Sequence, residues 1–317
     1  MSRVSQSEIS SPSVAVVIPT HNRWPMLVDA IDSVLNQSYK NVICVVVDDA
    51  STDNSVLELK RKYGDSIRLL VNRSNKEKSA SRNRGVIEVE ADLVCFLDSD
   101  DLLTKNSIES RVRVFQSDPQ FKGVSFGDTC RGSTQENNDK TIDKLNIKLD
   151  LQSYINNKET VHTSGFLISR AALLAEGLFC ESLTNREDIE LLVRLFNKYE
   201  FRHCGELVSI LRTHGDNRAR SNWDKIIRQG NAMSHSLESA LGDKLTESMK
   251  QILLGLKREE HEELLRALYR KKYYSEFIVL YKKAKKENLI SENFQWLKRK
   301  CLAQLLAPFS SGSTGTH

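Results

Sequence analysis

Three polar clusters, each directly following a short apolar run, hold most of the chemistry that the N-terminal third can offer. Pro19, Thr20, His21, Asn22 and Arg23 follow the run 14–18; Asp48, Asp49, Ala50, Ser51, Thr52 and Asp53 follow 42–47; Asp98, Ser99, Asp100 and Asp101 follow 93–97. Alternate carboxylates leaving a strand can converge on a hard divalent cation that bridges two phosphates. Such a cation neutralises charge on a departing diphosphate. An isolated Asp-x-Asp is more often a helix start, with its carboxylates set against the helix dipole and Asp101 as the cap. The buried strand expected before it, and the Asp48 and Asp49 pair after another strand, favour the cation.

The elements that must carry these clusters follow from periodicity. Apolar, β-rich runs at 14–18, 42–47, 67–71, 93–97 and 123–126 alternate with segments of helical period, which predicts a mostly parallel sheet with crossover helices. Between the first two runs, Pro25 suits a helical first turn, and Leu27, Ala30, Ile31, Val34 and Leu35 make one apolar face. Asp53 is placed to cap the next helix, and Ser79 or Ser81 the one after it. Ligands of an open α/β sheet bind beyond the carboxyl ends of its strands, so the three clusters are expected along one edge. Residues 129–140 are polar and rich in turn formers, which predicts a surface loop or lid. A short strand at 165–169, an amphipathic helix at 186–199 and a last strand at 204–211 complete this part. Beyond 222 the β-rich runs stop, and Lys, Glu and Leu at helical spacing continue to about 306. The expected organisation is a disordered N-terminus (1–13), an α/β domain (14–221), a helical C-terminal region (222–308) and a disordered tail (309–317).

Bulk properties narrow the function classes. The 317 residues suffice for one large or two modest domains with their own cores. With 39% hydrophobic and 28% charged residues, the chain reads as soluble and globular, with no long apolar span. The first 13 residues have no apolar core of a secretion signal, so the chain is expected in the cytoplasm. Cys44, Cys95, Cys130, Cys180, Cys204 and Cys301 form no Cys-x-x-Cys pair, which argues against a zinc site or a disulfide frame. The net charge of +4 is mild, but residues 251–300 hold 13 Lys and Arg against 7 Glu. The basicity is local to the C-terminal part.

Five segments in order resemble the inverting family 2 glycosyltransferases of the GT-A fold: residues 17–23, 47–53, 80–85, 96–101 and 187–191. The resemblance spans roughly 13–215 and implies transfer of a sugar from a nucleotide-diphosphate sugar, UDP-linked, to a hydroxyl of a glycan or lipid-linked acceptor. It implies a hexosyl- or N-acetylhexosaminyl-transferase of cell-surface polysaccharide synthesis with Mn2+ or Mg2+ as its divalent cation. Pro19, Thr20, Asn22 and Arg23 would line the nucleotide pocket, and Asp49 or its neighbour Asp48 would meet the base. Arg82 would approach the diphosphate or the acidic run, Asp98 and Ser99 the ribose or sugar, and Asp100 the metal, with His214 as a further ligand. An Arg fork suits diphosphate oxygens. Asp188 would be the catalytic base, with Glu187 beside it and His162, Thr163 and Gly165 on the acceptor side. Helix-start electrostatics is the competing reading of Glu187 and Asp188.

Rival classes fit less well. There is no G-x-G-x-x-G for a dinucleotide, no Gly-rich phosphate loop with Lys near the start, and no Asp-x-Asp after the first run. A non-catalytic GT-A relative acting as a binding or scaffold subunit is the remaining alternative, against which the intact Asp98, Asp100 and Asp188 stand. Basic helices near 264–274 and 296–302 could lie peripherally on the cytoplasmic face of an anionic membrane, bind a partner, or pack on the catalytic domain. Nucleic acid is not an expected partner.

Overall fold

A computed structural model describes residues 11–132, 151, 162–212, 223–242, 246–290 and 294–307. Its strands are β1 (Val14–Thr20), β2 (Val42–Asp48), β3 (Arg68–Val71), β4 (Leu93–Phe96), β5 (Leu102–Leu103), β6 (Val124–Arg131), β7 (Phe166–Ser169) and β8 (Phe201–Leu211). They join in one sheet of order β3-β2-β1-β4-β7-β6-β8-β5. β3, β2, β1 and β4 are mutually parallel, β6 runs parallel to β8, and β7 and β5 pair antiparallel to their neighbours. Every residue of β1 is buried, as a central strand covered on both faces requires. That burial is why its sequence is a continuous apolar run rather than an alternating one.

Helices α1 (Met26–Leu35), α2 (Ser55–Tyr63) and α3 (Glu77–Glu88) cross between these strands, and α4 (Ser107–Ser117) precedes β6. Leu27, Ala30, Ile31 and Val34 of α1 pack with Val14, Val16, Ile18, Cys44 and Val46 in the main core. Leu35, assigned to the same face, is 41% exposed at the end of the helix. Asp53 accepts from the Ser55 N–H at 3.0 Å at the start of α2. The expectation that Ser79 or Ser81 caps α3 is not met, because the helix begins at Glu77 and both serines lie inside it, buried. The expected loop from 129 is also shifted. β6 continues through Thr129 to Arg131, past a bulge at Gly127 where an added Cβ would lie 2.4 Å from Val208 Cγ1. Residues 133–140 lie outside those described.

α3 lies tight on the sheet. A Cβ on Gly85 would meet Val17 Cγ1 at 2.4 Å and Val47 Cγ2 at 3.3 Å. Gly85→Val is therefore expected to overpack the α3 contact with β1 and cost about 1–3 kcal/mol, read as a lower urea midpoint at unchanged slope.

The chain divides into two compact units, one of residues 1–181 and 191–215, the other of 182–190 and 216–317. The first holds the sheet and α5 (Arg170–Ala175). The second holds the start of α6 (Glu187–Phe196), then α7 (Trp223–Gln229), α8 (Ala232–Leu241), α9 (Glu247–Arg270), α10 (Tyr274–Lys286) and α11 (Phe294–Leu306). Its core gathers Ile226, Leu264, Leu265, Leu268, Phe277, Tyr281 and Trp296. Among the described residues no helix is long and apolar enough to cross a membrane.

Candidate active site

The parallel strands deliver the polar clusters to their carboxyl ends. After β1, Asn22 adopts a left-handed conformation at φ 52°, which asparagine tolerates better than most residues. Its Oδ1 accepts from the Thr52 and Asp53 N–H groups at 2.8 and 3.2 Å, and its own N–H donates to Ser51 Oγ at 2.9 Å. Asn22 thus ties the loop after β1 to the loop after β2. His21 Nδ1 lies 2.8 Å from the Asp49 carbonyl and strengthens the same junction.

Asp48 and Asp49 are both buried but differently engaged. Asp49 Oδ1 accepts from Asn72 Nδ2 at 2.7 Å and from the Lys76 N–H at 2.8 Å. Asp48 Oδ1 accepts from the Ser51 N–H at 2.9 Å, whereas its buried Oδ2 has no protein partner. The buried hydroxyl of Thr20, at the end of β1, has none either. Buried polar atoms are nearly always paired, so these two mark where a ligand would complete the site.

α3 explains the segment 80–85 residue by residue. Ser81 Oγ accepts from Asn72 Nδ2 at 3.0 Å. Arg82, 1% exposed, donates to Asp98 Oδ1 at 2.5 Å, and its guanidinium lies 5.2 Å from the centre of the Phe179 ring. Asn83 exchanges two 2.9 Å hydrogen bonds with the Phe179 backbone. Arg84 donates to the Val71 carbonyl and to Asn72 Oδ1 at 2.7 and 2.8 Å.

Residues Asp98 to Asp101 form a turn closed by the Asp101 N–H on the Asp98 carbonyl at 3.0 Å. The next helix begins only at Ser107, so the run caps no helix, Asp101 included. Asp98, Asp101 and His162 present ligand atoms within 4.8 Å of one another. Asp100 instead lies 3.6 Å from the Arg23 guanidinium, and Ser99 is buried. Burial alone would raise the Asp98 carboxyl, but the Arg82 guanidinium overrides it, helped by His162 and Lys78, and holds it well below the usual carboxylate range. Asp101 goes the other way: burial, then the charges of Asp98 and Asp100, push it up to about 8. The buried His162 Nδ1 has no hydrogen-bond partner. Two carboxylates and an imidazole are a donor set that suits Mn2+, and Mg2+ through the oxygens.

Two contributors escape sequence reasoning. Arg212 donates from Nε to the Asp100 carbonyl at 2.5 Å and from its backbone N–H to Asp101 Oδ1 at 3.1 Å. It also reaches Asp29 of α1 at 2.6 Å. Only its position at the end of an apolar run, like the other clusters, could have marked it. Asn72 directly follows β3 and had the same signal. His214 lies outside the described residues.

Thr163 and Gly165 form a buried single turn before β7, held by Arg111, whose Nη1 donates to the Ser164 and Phe166 carbonyls at 3.1 and 3.0 Å. Glu187 and Asp188 start α6 in the second unit. Glu187 is buried, and half-buried Asp188 accepts the Ile189 N–H through Oδ1 at 2.9 Å.

A parallel half-sheet ends in a carboxylate turn backed by a buried arginine, and the fold is of the GT-A type. The chain belongs to Glycosyl transferase family 2, whose profile matches residues 15–176. It is 26% identical over 218 residues to a chondroitin synthase of Escherichia coli, covering 67% of this chain and 31% of that one. The S. aureus TarS fragment 1-349, solved with UDP-GlcNAc, superposes with a TM-score of 0.64 at 18% identity, over 84% of this chain and 81% of that one. The mannosyltransferase PcManGT from Pyrobaculum calidifontis, solved with GDP-Man and Mn2+, gives 0.55 at 16% identity, over 95% and 81%. The chain spans less than half the length of the curated relatives first matched, 44% and 31% of them.

Proposed function

We propose that the chain transfers a sugar, with inversion, from a UDP-linked donor to a hydroxyl of a glycan or lipid-linked acceptor in cell-surface polysaccharide synthesis. The observation that carries the reading is the buried Arg82 paired with Asp98 at 2.5 Å beside Asp101 and His162, where the parallel strands of a family 2 domain end. The ligands named for TarS and PcManGT support a nucleotide-sugar donor, and the name of the chondroitin synthase supports the polysaccharide setting.

In this reading Pro19, Thr20, Asn22 and Arg23 frame the nucleotide. Asp48, with its unfilled Oδ2, accepts the imide N–H of the base, and Asp49 holds the loop. Asp98 and Ser99 meet the ribose or sugar. Asp98, Asp101 and His162 would hold the divalent cation, with Asp100 kept in place by Arg23. Bound there, the cation would neutralise charge developing on the diphosphate. Asp188 takes the proton of the acceptor hydroxyl as its oxygen attacks the anomeric carbon opposite the diphosphate. The C–O bond to the diphosphate breaks as the new glycosidic bond forms, and one displacement inverts the centre.

Calorimetry of UDP and GDP, each with Mn2+ and with EDTA, tests the donor side. UDP is expected to bind in the metal-containing arm, and failure of both nucleotides to bind would sink the proposal. The metal should also be pH-sensitive. A metal must displace the proton that Asp101 holds below about 8, so apparent Mn2+ affinity should rise toward that pH by roughly tenfold per unit for one displaced proton. A profile that stays flat from about pH 6 to about pH 8, with no proton displaced, would remove Asp101 from the ligand set.

A further inference from the structure

The second unit contains a cleft of about 390 Å³ lined by Asn185, Arg186, Trp223, Glu263 and Arg266. Its walls are fastened from several sides. Gln229 Oε1 accepts the Thr184 and Asn185 N–H groups at 3.1 and 2.9 Å, which ties this segment to α7. Arg186 donates to Glu259 at 3.0 Å and lies 3.1 Å from Glu263, which ties it to α9. Its backbone sits at φ 61°, a left-handed conformation that is costly for a residue with a Cβ. Strain of this kind persists only where the surroundings over-determine it, and here two carboxylates fix the side chain.

Half-buried Trp223 packs against the apolar core of the unit, and the Arg270 guanidinium lies 5.6 Å from its ring centre. Arg266 reaches Glu262 at 3.2 Å. Around the cleft Arg186, Arg266 and Arg270 are therefore matched by Glu259, Glu262 and Glu263. The matched charges disfavour a phosphate or a uronate, for which an excess of guanidinium groups would be expected. An indole offers a flat apolar face, while the amide and the paired ions offer donors and acceptors at fixed positions, which suits a ring with one apolar face and many hydroxyls. Asn185 and Arg186 lead directly into α6, whose second residue is Asp188.

We propose that this cleft is a subsite for a neutral pyranose ring of the acceptor glycan, placed beside Asp188 by the Asn185 and Arg186 segment. The assignment rests on the glycosyl-transfer reading and names the acceptor class for it. Asp188 acts on the attacked hydroxyl, and the cleft holds a ring of the same chain.

The test is binding of the intact protein to an array of neutral and acidic glycans, with UDP and Mn2+ calorimetry run on the same preparations. Neutral glycans are expected to bind, and Arg266→Ala and Glu263→Gln should each weaken that binding by roughly tenfold. Trp223→Ala should abolish it; because Trp223 also packs on the core, the exposed Arg266 supplies the variant that leaves the core untouched. Retained UDP affinity in these variants separates loss of the subsite from loss of fold. Binding that survives Arg266→Ala and Glu263→Gln, selection of acidic glycans only, or no glycan binding by a protein that binds UDP would each overturn the subsite. A protein that binds neutral glycans through the cleft but no nucleotide would instead overturn the transferase reading.

Discussion

Asp188→Asn is expected to lower sugar transfer by about 10²–10⁴-fold, the range that a positioned general base supplies, while leaving UDP affinity unchanged. The carboxamide keeps the size of the side chain and an oxygen that can accept the Ile189 N–H, now 2.9 Å from Oδ1. It cannot take a proton from an attacking hydroxyl. The competing reading of Asp188 and Glu187, stabilisation of the α6 start, predicts a different pattern: a loss of a fraction of a kcal/mol in stability and little change in turnover. Single-turnover rates with saturating donor separate the two, because they isolate the chemical step from binding. Glu187→Gln is the companion variant. Glu187 is buried where Asp188 is half-exposed, so its replacement should act on stability first. Full turnover in Asp188→Asn would move the base elsewhere.

Much of the fold was legible because burial on both faces of a parallel sheet leaves a plain mark. β1, β2 and β4 are short continuous apolar runs, and the clusters that follow them lie where the strand ends put them. What escaped detection has physical reasons. β5 is two residues long and shows no periodicity. β6 runs past the bulge at Gly127 into polar residues that read as a loop, since a bulge breaks the alternation on which strand recognition depends. Ser79 and Ser81 looked like caps because serine favours that position. Inside α3, Ser81 instead joins a hydrogen-bond network through Asn72, a tertiary contact that local sequence does not encode.

The site was legible to a similar depth. Residue types at the strand ends pointed to Asp98 and to the Asp48 and Asp49 pair, whereas Arg82, inside α3, was marked only by the family resemblance. Which oxygens are already engaged could not be read from spacing. Asn22 and Asp49 use theirs to join loops, while Asp48 Oδ2 and Thr20 Oγ1 remain without protein partners. Within the acidic run, the turn swings Asp101 rather than Asp100 toward His162, a partner far along the chain. Arg212 likewise reaches Asp100 and Asp101 from the end of β8. Such convergence belongs to topology.

Asp98→Ala is expected to abolish turnover and also to destabilise the domain by about 3 kcal/mol, because it leaves a buried guanidinium without this carboxylate. Arg82 is 1% exposed and cannot shed its charge to escape the loss. Burial of Asp98 works against its ionisation, yet the Arg82 charge dominates and depresses the carboxyl below its unfolded value of 3.8. The sign follows: the folded state favours the carboxylate, so the contribution is complete above about pH 4 and is lost as the pH falls toward the depressed value. Urea midpoints of the two proteins should therefore differ most near neutral pH and converge in acid. Asp98→Asn keeps an acceptor oxygen for Arg82 and should lose less. The decisive comparison is the double variant Asp98→Ala with Arg82→Met. Removing both charges should recover much of the lost stability without restoring turnover, since the buried member of the pair, Arg82, is then replaced by an apolar side chain that needs no partner. Additive losses in the double variant would mean that Arg82 is held by its other surroundings, Phe179 among them, and that Asp98 is not the charge that keeps it buried.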